Sequence, residues 1–423
     1  MTTTKNNEHR KLNFSSEREQ SQVCLNSAEH EKNQGRKVLN VPNLRFKEFQ
    51  GEWEKHELGD ICETITDFVA AGSFASLREN VKYYQEDNFA QLVRTVDLKK
   101  DFTNNDFVYV DEFAYDFLWR VQLKEPNIVL PNIGANIGEK YYVSTKDLPK
   151  EKNVLGPNAI LLRSKCNDTH FVYFRLSTSS YDNEMKKLVG ASGQPKFNKT
   201  DLKKVRLFMP SLKEQKKISY FLGLLEERIA TQNKIIDKLQ SLIKGLRVSL
   251  MQIENGNIVH LGEIAQIYQP QTISSTELTE DGFLVYGANG IIGKYKQYNH
   301  KTEQICITCR GNTCGTVNYT KPMSWITGNA MVINTDEHQN KVCKRYLYHY
   351  LSAYNFNSII SGSGQPQIVR TPLEQLKVPL PTFLEQKQKA TFLDKIQDKI
   401  EISNKTLDLY LQQKQYLLRL MFI

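Results

Sequence analysis

A long passage occurs twice in this chain, and this internal repeat restricts the possible folds more than any other feature. Residues 192–217 read SGQPKFNKTDLKKVRLFMPSLKEQKK, and 171 residues later residues 363–388 read SGQPQIVRTPLEQLKVPLPTFLEQKQ. A repeat of this size indicates a scaffold that is present in two copies within one chain.

The repeat extends upstream, with changes of spacing. LGDI at 58–61 matches LGEI at 261–264, an offset of 203, whereas Asn158 and Asn329 keep the offset of 171. Gly134 and Gly311, in NIGANIG and CRGNTCG, match at an offset of 177. The two halves therefore share a frame and differ by insertions, which suggests one scaffold presenting two different surfaces.

A long segment without proline follows each copy of the repeated passage. Its apolar residues alternate by four and three, which is the heptad spacing of a two-stranded coiled coil. The predicted helix–helix seam residues are Leu222, Leu225, Ile229, Gln232, Ile236, Leu239, Leu393, Ile396, Ile400, Ser403, Leu407 and Tyr410. Lys389 and Lys414 also fall on the second seam and weaken it. The alternative is that each helix lies on its own globular domain.

Chain order predicts how the two helices are arranged. The second globular half begins where the first helix ends and leads directly into the second helix, so the helices should run antiparallel. The two globular halves would then sit at opposite ends of a rod, with Gln232 and Ser403 near its middle. At 1.5 Å per residue the seam of the first helix is about 50 Å long.

Each globular half has the pattern of a mixed α/β domain. Short apolar segments separated by Gly and Asn turns predict strands, and they precede a helix near residues 169–188 in the first half and 341–361 in the second. The predicted fold class is therefore α+β, with a pseudo-twofold internal repeat and a two-helix antiparallel coiled coil.

Composition limits the class of protein and the kind of partner. The 423 residues are 40% hydrophobic and 24% charged, with a net charge of +9, which favours a polyanionic partner. No apolar segment has the length of a membrane span and the polar start lacks the core of a signal peptide, so we expect a cytoplasmic protein. The odd count of 7 cysteines favours reduced thiols.

The chain lacks the common catalytic motifs. It contains no Walker A loop, no G-x-G-x-x-G after a strand, no H-E-x-x-H, no G-x-S-x-G and no Asn-Pro-Pro-aromatic sequence. Cys306, Cys309 and Cys314 lack the second ligand pair of a structural zinc site, so thiols that fill a strand are favoured over a metal. We expect neither catalytic residues nor a metal.

Residues that could contact DNA lie in the glycine-containing loops. Arg310, Asn312 and Thr313 combine a forked donor, an amide and a hydroxyl on a tight turn, and these types can bind bases or phosphate. The remaining candidates are Asn132, Asn136, Lys140, Gln194, Lys196, Gln365 and Gln367. The alternative is that these residues only satisfy turn or helix-cap geometry.

These features together resemble a known family. The duplicated plan, the SGxGQP loop, the PLPTFLEQ start of a long helix and the opening VPNLRFKEFQGEWEKHELGDI resemble the specificity subunits of Type I restriction-modification enzymes. The resemblance spans residues 41–423. It implies target recognition domains at 41–211 and 256–381, conserved helices at 212–255 and 382–423, and, before them, a polar extension at 1–40 that we expect to be disordered.

The resemblance also implies a division of labour between subunits. Each recognition domain would read one half of a bipartite, asymmetric site in double-stranded DNA, and the helices would set the spacer and dock two methyltransferase subunits. Those partners would bind S-adenosylmethionine and methylate adenine, while restriction subunits would use ATP and Mg²⁺. This chain would carry no cofactor of its own. Two alternatives remain, a structural or non-specific DNA-binding coiled-coil protein and a self-contained modification enzyme.

Overall fold

The structure, a computed structural model, describes residues 39–103, 105–134, 136–189, 196–252, 257–288, 290–362 and 364–423. The chain separates into two compact units: unit 1 comprises Met1–Glu227 and Leu411–Ile423, and unit 2 comprises Arg228–Tyr410. The division falls inside both long helices. The segment boundaries assigned from the sequence keep each helix whole and stay a prediction.

Unit 1 contains nine short strands and seven short α-helices. The strands are β1 (Glu54–Glu57), β2 (Thr64–Asp67), β3 (Ala90–Val93), β4 (Val108–Val110), β5 (Asn127–Pro131), β6 (Tyr141–Val143), β7 (Asn153–Leu155), β8 (Ala159–Arg163) and β9 (Arg206–Met209). The helices are α1 (Leu58–Ile61), α2 (Phe74–Asn80), α3 (Thr95–Lys99), α4 (Glu112–Phe117), α5 (Thr169–Leu176), α6 (Ser179–Leu188) and α7 (Lys199–Lys203). These counts refer to the described part of the unit.

The first long helix, α8 (Leu212–Met251), has 40 residues. Unit 2 then supplies strands β10 (Asn257–His260), β11 (Gln266–Tyr268), β12 (Phe283–Gly287), β13 (Gly290–Tyr295), β14 (Ile305–Thr308), β15 (Val317–Tyr319), β16 (Trp325–Ile326), β17 (Ala330–Asn334) and β18 (Lys377–Leu380). Its short helices are α9 (Lys344–Ala353) and α10 (Arg370–Glu374), and the second long helix is α11 (Phe383–Met421), with 39 residues.

The two units repeat the same sheet topology. Unit 1 has the strand orders β2-β8-β5-β6, β4-β3-β7 and β1-β9, and unit 2 has β11-β17-β14-β15, β13-β12-β16 and β10-β18. The terminal pairs match in register: Glu54 pairs with Met209, and Asn257 pairs with Leu380. These offsets of 203 and 171 are those of the sequence repeat, so the predicted internal repeat and mixed α/β class are confirmed.

The helix predicted near 169–188 is in fact two helices, α5 and α6. The break falls at Ser177 and Thr178, where the Thr178 hydroxyl caps α6 by accepting from the backbone N–H of Tyr181 at 3.5 Å. Hydroxyl side chains compete for backbone groups and favour helix starts over helix interiors. The predicted helix at 341–361 is likewise shorter, because α9 ends at Ala353.

Segments of the long helices pair in each unit. In unit 2 the Gln232 side-chain amide donates to the carbonyl of Ser403 at 3.0 Å, and Lys389 Nζ donates to the carbonyl of Leu250 at 2.7 Å. Higher numbers on α8 thus meet lower numbers on α11, so the segments run antiparallel. In unit 1, Lys414 Nζ lies 2.6 Å from Glu226 Oε1.

The predicted seam residues lie on the inner faces of these helices. Six of the twelve are buried, namely Leu222, Leu225, Ile236, Leu393, Ile400 and Ser403. The other six, Ile229, Gln232, Leu239, Ile396, Leu407 and Tyr410, are half-buried. The two seam lysines each have a partner, since Lys389 binds the carbonyl end of α8 and Lys414 pairs with a carboxylate.

Candidate nucleic-acid interface

In each unit the strand-end loop and the segment before a short helix meet. In unit 1, Ile133 forms an isolated bridge with Lys196, and in unit 2, Arg310 forms the equivalent bridge with Gln367. The offsets of 177 and 171 again match the repeat. The backbone support is repeated as well: Phe197 N–H donates to the carbonyl of Asn132 at 3.2 Å, as Ile368 N–H does to that of Cys309 at 3.0 Å. The same frame therefore displays different side chains.

A glycine turn shapes each loop. Gly134 and Gly311 have φ values of +89° and +87°, in the left-handed region that favours glycine. A Cβ added at either position would meet no atom within 4 Å, so backbone conformation, not crowding, requires glycine there. The neighbouring side chains are free to vary without disturbing the turn.

Unit 2 gathers its predicted contact residues on one exposed rim. Arg310, Asn312, Thr313, Gln365 and Gln367 are all exposed. The backbone N–H of Gly311 donates to the carbonyl of Pro366 at 3.0 Å, which ties the two loops together. Among the described residues no carboxylate forms an ion pair with Arg310, so its guanidinium remains available to a ligand.

Unit 1 presents a different set. Lys196 is exposed, whereas Asn132 is half-buried and its Nδ2 donates to the carbonyl of Phe197 at 3.4 Å. Asn136 Oδ1 accepts from Lys99 Nζ at 3.0 Å. The Lys140 ammonium pairs with Asp182, and the Lys140 side chain is only 12% exposed. A carboxylate of the same domain therefore already neutralises this charge. Gln194 lies outside the described residues.

The glutamine of each P-S/T-x-x-E-Q motif links a long helix to the α/β body. Gln215 Oε1 accepts from the N–H of Asp168 at 3.0 Å, and Gln386 Oε1 accepts from that of Cys343 at 2.8 Å. Each side-chain amide also donates to a carbonyl five residues earlier. Sequence reasoning used these glutamines only as markers of the repeat, although a buried amide at matched positions indicates a structural tether.

Charged clusters fix the same junction in both units. His170 and Lys414 lie 3.1 and 2.6 Å from the Glu226 carboxylate. In unit 2, His349 lies 2.8 Å from the Asp394 carboxylate. Burial raises the pKa of each carboxyl group, but the hydrogen bonds from histidine and the nearby cations outweigh burial and lower both pKa values. Sequence reasoning missed these clusters because their members are far apart in the chain.

The cysteines that suggested a metal site lie in the core of unit 2. Cys306 and Cys309 are fully buried, and burial raises the pKa of the Cys306 thiol to about 12. Within the described ranges, no group of three or more His, Cys, Asp or Glu side chains could hold a metal ion. Nor is any helix in the described part of the chain long and apolar enough to cross a membrane.

Curated relatives and a solved structure resemble this chain, two of them over most of its length. The MjaX type I restriction enzyme specificity subunit of Methanocaldococcus jannaschii is 26% identical over 407 residues, which cover 87% of this chain and 92% of the relative. The EcoprrI specificity subunit of Escherichia coli is 32% identical over 140 residues, 32% of this chain and 34% of that protein. The crystal structure of a Type I restriction-modification S subunit from M. genitalium has the same fold, with a TM-score of 0.62 at 16% identity, covering 90% of this chain and 99% of that one.

The family model described as the Type I restriction modification DNA specificity domain matches this chain twice, at residues 50–241 and 254–409. The two matches correspond to the two copies of the repeat and together cover well over half of the sequence. The chain therefore belongs to the Type I restriction-modification DNA specificity family.

Proposed function

We propose that this chain selects the DNA target of a Type I restriction-modification complex, with each unit reading one half of a bipartite, asymmetric site. The observation that carries this proposal is the pair of equivalent loop junctions. The bridges Ile133–Lys196 and Arg310–Gln367 lie at matched positions of the repeat, yet they display different side chains. Two backbone frames of the same design that carry different side chains suit the reading of two different half-site sequences.

The exposed rim of unit 2 offers the chemistry of direct base readout. An arginine fork can bind both acceptors of guanine in the major groove, and asparagine or glutamine amides can bind adenine. Arg310, Asn312 and Gln367 supply these types on adjoining loops. Lys196 of unit 1 and the net charge of +9 suit phosphate contacts, which position a protein on DNA without reading its sequence.

The long helices would set the spacing between the half-sites. The antiparallel pairing of α8 and α11 in unit 2 supports this role. A helix of 40 residues is about 60 Å long, roughly the length of 18 base pairs. Lengthening both helices by one heptad should therefore widen the gap in the recognised site.

Outward apolar residues at matched positions of the helices suit two copies of one partner. Phe221 on α8 and Phe392 on α11 stand 171 residues apart, and they are 39% and 50% exposed. We propose that each anchors one methyltransferase subunit, which would bring S-adenosylmethionine and methylate adenine. Restriction subunits with ATP and Mg²⁺ would complete the assembly in the cytoplasm.

A domain exchange tests the recognition proposal. Replacing residues 257–380 with the equivalent segment of a relative should change one half of the methylated site and leave the other half unchanged. Genome-wide mapping of methylated adenine in cells carrying each version of the complex measures both halves at once. A complex that binds all duplexes equally, or a site that stays the same after the exchange, would contradict the proposal and favour a non-specific coiled-coil protein.

Partner docking is tested separately. Phe392→Ala should reduce the number of methyltransferase subunits in the purified complex from two to one, measured by native mass spectrometry. Phe113→Ala is the matched control, because Phe113 is 66% exposed but lies on α4, away from the long helices. Equal stoichiometry for the Phe392→Ala complex and the unaltered complex would exclude Phe392 as an anchor.

A further inference from the structure

A cleft in unit 1 adjoins the loop that follows β5. It has a volume of about 570 Å³ and a mostly apolar lining, which includes Phe74, Arg78, Tyr83, Asn132, Ile133 and Asn158. Its outer wall is α2, where Phe74 is 78% exposed, and Tyr83 beyond α2 is 53% exposed. Ligand sites are typically clefts lined by apolar and aromatic side chains with a few polar groups inside. Exposed aromatic side chains at the edge of a cleft that contains an amide fit this description.

The amide of Asn132 is incompletely satisfied. Its backbone is fixed, because its N–H donates to the carbonyl of Asn158 at 3.2 Å and its carbonyl accepts from Phe197 N–H. Its side-chain Oδ1 is buried and has no hydrogen-bond partner among the described residues, and Nδ2 makes one long bond of 3.4 Å. A buried acceptor without a donor is costly. Turning the amide toward a ligand in the cleft would sacrifice only that long bond.

Unit 2 has no such amide at the matched position. The residue 177 positions after Asn132 is Cys309, which is fully buried. Its thiol contacts the Gln269 amide at 3.1 Å, and Gln269 also donates to the carbonyl of Gly328. In unit 2 the Gln269 side chain therefore provides a hydrogen-bond partner at this position. In unit 1 the Asn132 Oδ1 has no such partner among the described residues, and the cleft beside it is open.

We propose that the cleft of unit 1 receives the edge of an adenine in the first half-site, read by Asn132. An asparagine amide matches adenine in the major groove, because Oδ1 accepts from N6 and Nδ2 donates to N7. Phe74 and Tyr83 exclude water from these bonds. Arg78 is exposed and forms no ion pair with a described residue, so it can contact the adjacent phosphate. This inference rests on the proposed function, and it adds α2 to the reading surface.

The experiment uses the intact methyltransferase complex and DNA duplexes varied at each position of the mapped site. Asn132→Ala should reduce the preference for adenine at one position of the first half-site by about tenfold or more and leave the second half-site unchanged. Asn132→Asp replaces the donor with a second acceptor, so it should shift that position toward cytosine, whose N4 amino group donates.

Exposed variants keep the test independent of folding. Phe74→Ala removes a solvent-exposed ring and should weaken the preference at the same position. Phe113→Ala removes another exposed ring, 66% exposed against 78% for Phe74, that does not line the cleft, and it should have no effect. Unchanged preference at every position with both Asn132→Ala and Phe74→Ala, or a change confined to the second half-site, would overturn the inference. Failure of the proposed function would look different, since the unaltered complex would then show no bipartite site.

Discussion

The two copies of the P-S/T-x-x-E-Q motif provide a matched test of what a buried ion pair contributes. Glu214 is 1% exposed, and its two carboxylate oxygens accept from Nε and a terminal nitrogen of Arg45, both at 2.8 Å. Trp53 Nε1 also approaches Glu214 Oε1, at 3.4 Å. The equivalent residue of the second copy, Glu385, is exposed, and its carboxylate accepts a hydrogen bond from the backbone N–H of Thr382 at the start of α11. Identical motif positions therefore sit in opposite environments.

Glu214→Gln should destabilise unit 1 by about 3 kcal/mol, because it leaves the Arg45 guanidinium without its counter-charge. This is the low end of the range for breaking a buried pair, since 14% of the Arg45 side chain remains exposed and can be hydrated. With a urea dependence of about 3 kcal/mol per molar, the midpoint should fall by about 1 M. Glu385→Gln should shift the midpoint much less, because the exposed cap loses only a solvated charge.

Urea denaturation followed by tryptophan fluorescence measures these shifts. A protein that keeps only Trp53, which is 2% exposed, reports unit 1 and the Glu214→Gln variant, and one that keeps only Trp325, which is 7% exposed, reports unit 2 and the Glu385→Gln variant; phenylalanine replaces the other tryptophans in each. The pair Arg45→Met with Glu214→Leu should recover much of the loss, since a well-packed apolar pair avoids the cost of burying charge. Equal midpoint shifts for Glu214→Gln and Glu385→Gln would refute the reasoning.

Two further predictions concern a pair of loop glycines and the response of unit 1 to pH. Gly311→Ala should cost only the strain of its positive φ, about 1 kcal/mol. Gly362→Ala should cost more, because its Cβ would also clash with the backbone carbonyl oxygen of Gln365. Thermal melts of unit 2 in which Gly311→Ala is the more destabilising of the two would contradict this. The pKa of Glu226 lies below its ordinary 4.5 because the His170 hydrogen bond and Lys414 outweigh burial, so its contribution to stability is present above pH 4.5 and is lost as pH falls through the lowered pKa. Urea midpoints should therefore decline as the pH falls below 4.5, and Glu226→Gln should flatten that decline.

Chain-local patterns were enough to predict the plan of the protein. The repeat offsets of 171, 177 and 203 reappear as matched strand pairs, bridges and turns, because backbone geometry is dictated by local glycines, apolar alternation and caps. The heptad spacing likewise placed Leu222 and Leu393 on inner helix faces. Patterns with a fixed period can be read from the sequence, since each depends on neighbours a few residues away.

Tertiary structure decided which of the candidate side chains stay exposed and without an internal partner. Lys140 and Arg310 were equal candidates by residue type, but folding brings Asp182 to the first and leaves the second exposed without an ion pair among the described residues. The cleft beside Asn132 could not be predicted either, because α2 lies more than 50 residues away in the chain. The physical reason is that burial and charge pairing depend on which distant segments meet, and residue types along the chain do not specify those meetings.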